Sequence, residues 1–189
     1  MGAYYFLVAQ LPYLIYEQGL PMSSAAFRSL ARESMSAGEA RVLDLCTLDP
    51  DPPVEGPDGT SVSSAETHTS SSFINQWREW ERSLRLNLAR ARAIKFKRDV
   101  PEAPVSPETA VAAAKTAMAI DSPLEAELFL DKARWNAIES FMGYDIFSES
   151  AVYAYLLKLL LIERRTAFNA EEGFIEYQGL YAAILGEPK

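Results

Sequence analysis

The chain has one cysteine, Cys46, and one histidine, His68, which narrows the chemistry it can perform. Zinc sites are built from clustered Cys and His ligands. A di-iron carboxylate bundle uses two Glu-x-x-His pairs. A Ser-His-Asp triad would have to recruit His68 from a Pro- and Ser-rich stretch that gives no rigid support. The nine glycines are scattered and form no G-x-x-x-x-G-K-[ST] phosphate loop. Cys46 closes the run Val42-Leu43-Asp44-Leu45-Cys46 and reads as a small buried hydrophobe. Paired carboxylates stay open as a route to catalysis, because acidic residues number 26. The expectation is a chain that is not itself an enzyme, with no catalytic, cofactor-binding or metal-binding residue.

The residues with most to offer are charged or amide side chains set among apolar ones. Between Phe73 and Ile94 the stripe Phe73, Trp77, Trp80, Leu84, Asn87, Ala91, Ile94 alternates gaps of four and three, and Asn87 is its only polar member. A buried, unpaired amide costs about 1–3 kcal/mol, so Asn87 must find partners. It either fixes helix register against a neighbour or sits at the rim while Leu88 takes the core side. Arg78, Arg82, Arg85, Arg90, Arg92, Lys95, Lys97 and Arg98 are opposed there only by Glu79 and Glu81. This helix therefore carries +6 within a chain of net charge −8, leaving −14 elsewhere. Arg82, Arg85 and Arg90 either dock an acidic partner or belong to a solvated helix face balanced by the acidic remainder of the chain. Glu163, Arg164 and Arg165 follow the most apolar run, and mark either a helix end entering water or a partly buried ion pair at an interface.

The positioning elements read as helices. Residues 4–11 are apolar and too short for periodicity to separate strand from helix. A helix starts near Ser23 or Ser24, and Ser36-Ala37-Gly38-Glu39 opens another with a capping box. Residues 49–69 hold four prolines, several serines, five acids and no Lys or Arg, which predicts a flexible acidic linker. A long amphipathic helix follows over about 72–98, stopped by Pro101, Pro104 and Pro107. Ser106-Pro107-Glu108 and Ser122-Pro123-Leu124-Glu125 each read as serine cap, proline and acid at a helix start. The second of these helices runs to about Met142, with Leu124, Leu128, Trp135, Ile138 and Met142 inward and Gly143 at its stop. Trp77 and Trp80 read as core residues. Tyr4, Tyr5 and Phe6 suit core or contact equally.

A helix capped by Ser148 is apolar nearly all round from Ala151 to Ile162 and reads as the central one. Leu→Ala at Leu157 or Leu160 is expected to cost on the order of 2–5 kcal/mol. A last helix is expected over roughly 170–185. No βαβ alternation or hairpin signal stands out. The longest apolar run is interrupted by Lys158 and falls short of the roughly 20 residues that span a bilayer. Residues 4–15 lack the basic lead and cleavage site of a signal peptide. The acidic balance disfavours nucleic acid as a partner, and a chain without disulfides suits the cytosol.

Three stretches together carry a resemblance. They are Tyr4–Pro12 (YYFLVAQLP), Glu81–Arg92 (ERSLRLNLARAR) and Ala154–Arg165 (AYLLKLLLIERR), with Gly173 beyond. The pattern resembles a bacterial family encoded beside V-type (V/A-type) ATPase genes. More distantly it is similar to the C subunit of those ATPases, called d in eukaryotes, an all-helical cone that seats the central rotor stalk on the membrane ring. The resemblance implies no catalytic residue. It implies that Asn87 and its flanking arginines are packing or conformational elements.

The expected protein is all-α, with about seven helices in one or two packed bundles. Residues 1–48 pack on the rest, 49–69 link, and 70–189 form the main bundle. The resemblance implies a non-catalytic accessory or central-stalk-like subunit of a V/A-type rotary ATPase, acting through helix–helix docking to other ATPase subunits. Such a subunit would serve ion or proton transport from the cytoplasm, peripheral to the inner membrane and without inserting into it. The alternative is a free-standing helical adaptor or regulator. The candidate interface or register residues are Arg82, Arg85, Asn87, Arg90, Glu163 and Arg164.

Overall fold

In the computed structural model the protein is described over residues 4–51, 68–100, 102 and 105–166, together with the backbone of 53–55 and 61–63. Seven helices are present among these: α1 Tyr5–Ala9, α2 Ser24–Arg32, α3 Ala37–Asp44, α4 Ser72–Lys95, α5 Glu108–Ala119, α6 Pro123–Met142 and α7 Glu149–Thr166. The helix expected over 170–185 lies outside the described residues. The fold is all-α, apart from one short pair of strands.

Local signals account for most helix starts. Ser36 Oγ accepts from the Glu39 N–H at 3.3 Å while the Glu39 carboxylate accepts from the Ser36 N–H at 2.8 Å, closing the capping box on α3. Ser23 caps α2 and Ser122 caps α6, which has Pro123 at its first position. Gly143 ends α6 at φ 75°, a left-handed conformation that suits glycine. The start of α5 departs from expectation. Pro107, not Ser106, takes the N-cap position, and no side chain caps the helix. The Ser106 hydroxyl is instead engaged by Asn87.

α7 is the most buried helix. Val152, Tyr153, Ala154, Leu156, Leu157 and Leu159 are all fully buried. α4, α5 and α6 pack on one another, with α6 and α4 also meeting α7, while α2 covers another side of α7. Residues 4–11 form the one-turn helix α1 rather than a strand, with Tyr4 and Leu7 buried. Trp77 and Trp80 stack with ring centroids 6.1 Å apart and 20° between their planes. Each indole N–H finds an acceptor, Thr47 O at 3.1 Å and Thr109 Oγ1 at 3.0 Å, as buried tryptophans require.

Several inward assignments need correction. Leu124 and Leu128 are exposed, because the first turns of α6 run past the edge of the core. Ile94 is exposed for the same reason at the far end of α4, whose last buried residue is Leu88. Leu160 is only half-buried, while its neighbour Leu159 is fully buried. α4 ends at Lys95, three residues short of the expected Arg98, and Lys97 takes a left-handed conformation at φ 53°. The stretch expected to be linker holds β1 Pro53–Glu55, paired antiparallel with β2 Ser61–Ser63 through Val54 opposite Val62.

Candidate functional site

Two arginines of α4, Arg82 and Arg85, face acids of their own chain. Arg82 grips Asp51, with Nη2 to Oδ1 at 2.5 Å and Nε to Oδ2 at 3.3 Å. Arg85 reaches Asp49 Oδ1 at 3.2 Å and the Leu48 carbonyl at 2.9 Å. The start of the 49–69 stretch is thus clamped to the helix that follows it. These hydrogen bonds from Arg82 hold the Asp51 carboxyl below its ordinary pKa, against the opposing effect of partial burial. A depressed pKa contributes stability above the unfolded value of about 3.9, and that contribution is lost as pH falls through the folded value. Asp51→Asn should therefore cost about 0.5–1 kcal/mol at neutral pH and nothing in strong acid. Urea unfolding of the two proteins across acid to neutral pH checks this, and a pH-independent difference would refute it.

Deeper in, the ion pairs continue across three helices. Glu81 is fully buried. It accepts from Arg134 Nε at 2.9 Å and Nη2 at 3.0 Å, a bidentate pair between α4 and α6. It also accepts from Arg85 Nε at 3.0 Å. Arg134 Nη1 donates to Asp131 Oδ1 at 3.2 Å, and Arg164 on α7 donates to that same oxygen. The chain Arg85–Glu81–Arg134–Asp131–Arg164 thus ties α4, α6 and α7 into one brace. Burial alone would lower the Arg134 pKa, but the hydrogen bonds and charge of Glu81, with Asp131, outweigh it and raise the value. Arg134 therefore stays a cation whose charge is spent inside the fold.

The other expected residues are also engaged within the chain. Asn87 is half-buried beside the buried Leu88. Its Nδ2 donates to Ser83 O at 2.8 Å and Ser106 Oγ at 3.0 Å, fastening the approach to α5 onto α4. Asn87 therefore lies at the rim of the stripe, bonded to the segment that leads into α5. Arg90 is half-buried and makes its own contact. Glu163 Oε1 accepts from the Ser24 N–H at 2.6 Å, satisfying a free amide in the first turn of α2. Arg165 donates to Tyr16 O at 3.0 Å and lies 5.0 Å from the Tyr16 ring centroid. Glu163, Arg164 and Arg165 are thus each half-buried and bonded within the chain. They form the partly buried polar junction of α7 with α6 and with the segment that holds α1 and α2.

Sequence reading missed Asp131, Arg134 and the part played by Glu81. The signal was present, since Asp131 and Arg134 lie on the same α6 face as Leu130, Trp135 and Ile138, and Glu81 lies between Trp77 and Leu84. Charges at core positions ask for a partner, and the partners lay on separate helices.

Cys46 is fully buried, its thiol donates to Val42 O at 3.4 Å, and burial pushes its pKa up. His68 is exposed. Among the described residues no group of three or more His, Cys, Asp and Glu is placed to hold a metal ion. Two of the clefts among the described residues are open and mainly apolar. One, of about 230 Å³, lies between residues 8–14 and the α6–α7 side and carries the Lys158–Glu139 ion pair at 3.0 Å. The other, of about 380 Å³, lies between α5 and α6 and is lined largely by alanines and threonines over Trp80.

Fold and site together define an all-helical protein whose functional candidates are bracing residues. No helix among the described residues is long and apolar enough to cross a membrane. No protein-family model, curated protein or solved structure matches the chain.

Proposed function

We propose that this chain is a non-catalytic accessory or central-stalk-like subunit of a V/A-type rotary ATPase, acting through helix–helix docking. One observation carries the reading. The three stretches that bear the resemblance are brought together by the fold. Tyr155 of the third donates to the Pro12 carbonyl of the first at 2.8 Å. Glu81 of the second is joined through Arg134 and Asp131 to Arg164 of the third. A resemblance carried by mutually bracing residues concerns architecture. A component that transmits torque or aids assembly needs stiffness, which a buried charge brace across three helices supplies. In this role the protein works at the cytoplasmic face, peripheral to the inner membrane, with other ATPase subunits as partners and ion transport as the process served.

The test is purification of the tagged full chain with its native partners under mild conditions. Recovery of ATPase subunits is the expected result. Recovery of none of them ends this reading, and recovery of unrelated proteins alone makes the chain a free-standing helical adaptor.

A further inference from the structure

The last turns of α4 project past the core. From Arg92 to Val100 every residue except Ala93 is exposed. Four cations stand there, Arg92, Lys95, Lys97 and Arg98, and none of them forms an ion pair with a described residue. Arg82 and Arg85, by contrast, are neutralised inside the chain. Apolar side chains share the projection: Phe96 is 64% exposed, Ile94 56% and Val100 45%. The helix stop sets the shape of this tip. Lys97 is left-handed at φ 53°, with the Lys97 N–H on Ile94 O at 3.2 Å and the Arg98 N–H on Ala93 O at 2.9 Å. This double bond pattern turns the backbone sharply after the last helical residue. The Arg98 guanidinium lies 5.9 Å from the Phe96 ring centroid, so charge and aromatic surface occupy the same spot.

We propose that this tip adsorbs to an anionic bilayer surface, with Phe96 and Ile94 entering the headgroup region and the four cations meeting lipid phosphates. The inference does not depend on the ATPase assignment. The mixture of exposed charged and apolar side chains over one short helix end argues for lipid over an acidic protein. A specific protein interface buries about 800 Å² on each partner, and a single helix end of isolated side chains offers no such face. A bilayer interface needs no shape complementarity and accepts charged and apolar groups at adjacent depths. The acids nearest the tip in sequence are Asp99, at its edge, and Glu102 beyond. Acidic surface more than about 10 Å away is screened at ordinary ionic strength, so the net charge of −8 does not prevent a local attraction.

The experiment is co-sedimentation of the full chain with phosphatidylcholine vesicles, with and without phosphatidylglycerol. Binding is expected only to the anionic vesicles and should fade as salt is raised. Lys95→Ala and Lys97→Ala should each weaken it about fivefold. Phe96→Ala should weaken it about tenfold with every charge retained. All three positions are exposed, so thermal unfolding should show the variants folded. Failure to bind anionic vesicles overturns the proposal. Salt-sensitive retention on a poly-glutamate column with no effect of Phe96→Ala on either support also overturns it, because that pattern describes a simple acidic-protein contact. Neither result bears on recovery of ATPase subunits, so the two readings fail separately.

Discussion

Replacing Arg134 with methionine lowers the stability of the fold by about 3–5 kcal/mol, the range for removing one partner of a buried ion pair. The large expected effect follows from what is left behind. Glu81 is fully exposed to this loss, since its side chain has no access to water and two of its hydrogen bonds come from Arg134. Its third, from Arg85, comes from a side chain that is itself about half in solvent. Removing both members of the central pair, as Glu81→Leu with Arg134→Met, should bring the protein back to within about 1–2 kcal/mol of wild type, because apolar residues of similar volume incur no charge desolvation. Asp131 would keep Arg164, and Arg85 would keep Asp49. Urea unfolding of the two single variants and the double variant gives the coupling directly. A loss below about 1 kcal/mol for Arg134→Met would show that the brace contributes little to holding α4 against α6.

Leu157→Ala is the second large effect, at about 3–5 kcal/mol. Leu157 is fully buried in a helix that is enclosed on nearly every side, so truncation leaves a cavity its surroundings cannot fill by relaxing. Leu160→Ala, in the same helix and of the same chemistry, should cost only about 1–2 kcal/mol, since its side chain is half-buried. The contrast removes helix propensity from the comparison. Equal losses from the two variants in urea unfolding would mean that the α7 packing described above is wrong.

Elements governed by neighbours in sequence were legible. The Ser36–Glu39 box, the Ser122-Pro123 start and the Gly143 stop each depend on residues within a few positions, and each is present as read. The apolar run 151–162 identified the most buried helix because a helix with no polar face has to be enclosed. Legibility failed where the deciding residue was distant. Leu124 and Leu128 follow the apolar period of α6, yet nothing in that period tells where the core ends. The brace was missed because Glu81 and Arg134 are 53 residues apart, and no spacing rule announces which helix will lie beside α4. Composition misled at 53–63. Proline and serine content argued for linker while the short runs around Val54 and Val62 paired as strands. Asp49 and Asp51 looked like solvated linker acids until the arginines opposite them were placed.

The polar ties of α7 run back to the earliest described part of the chain. Tyr153 reaches Glu39 across 114 positions, Glu163 reaches Ser24 across 139, and Arg165 reaches Tyr16 across 149. On the ribosome, residues 4–48 therefore leave the exit tunnel long before the surface they cover has been made. At about 5–20 residues per second the wait lasts many seconds, with Phe27 and Leu43 lacking their eventual neighbours throughout. Closure of this clasp is a late, non-local event with a correspondingly slow rate. Residues 4–48 accordingly hold apolar surface uncovered while α7 is still being made.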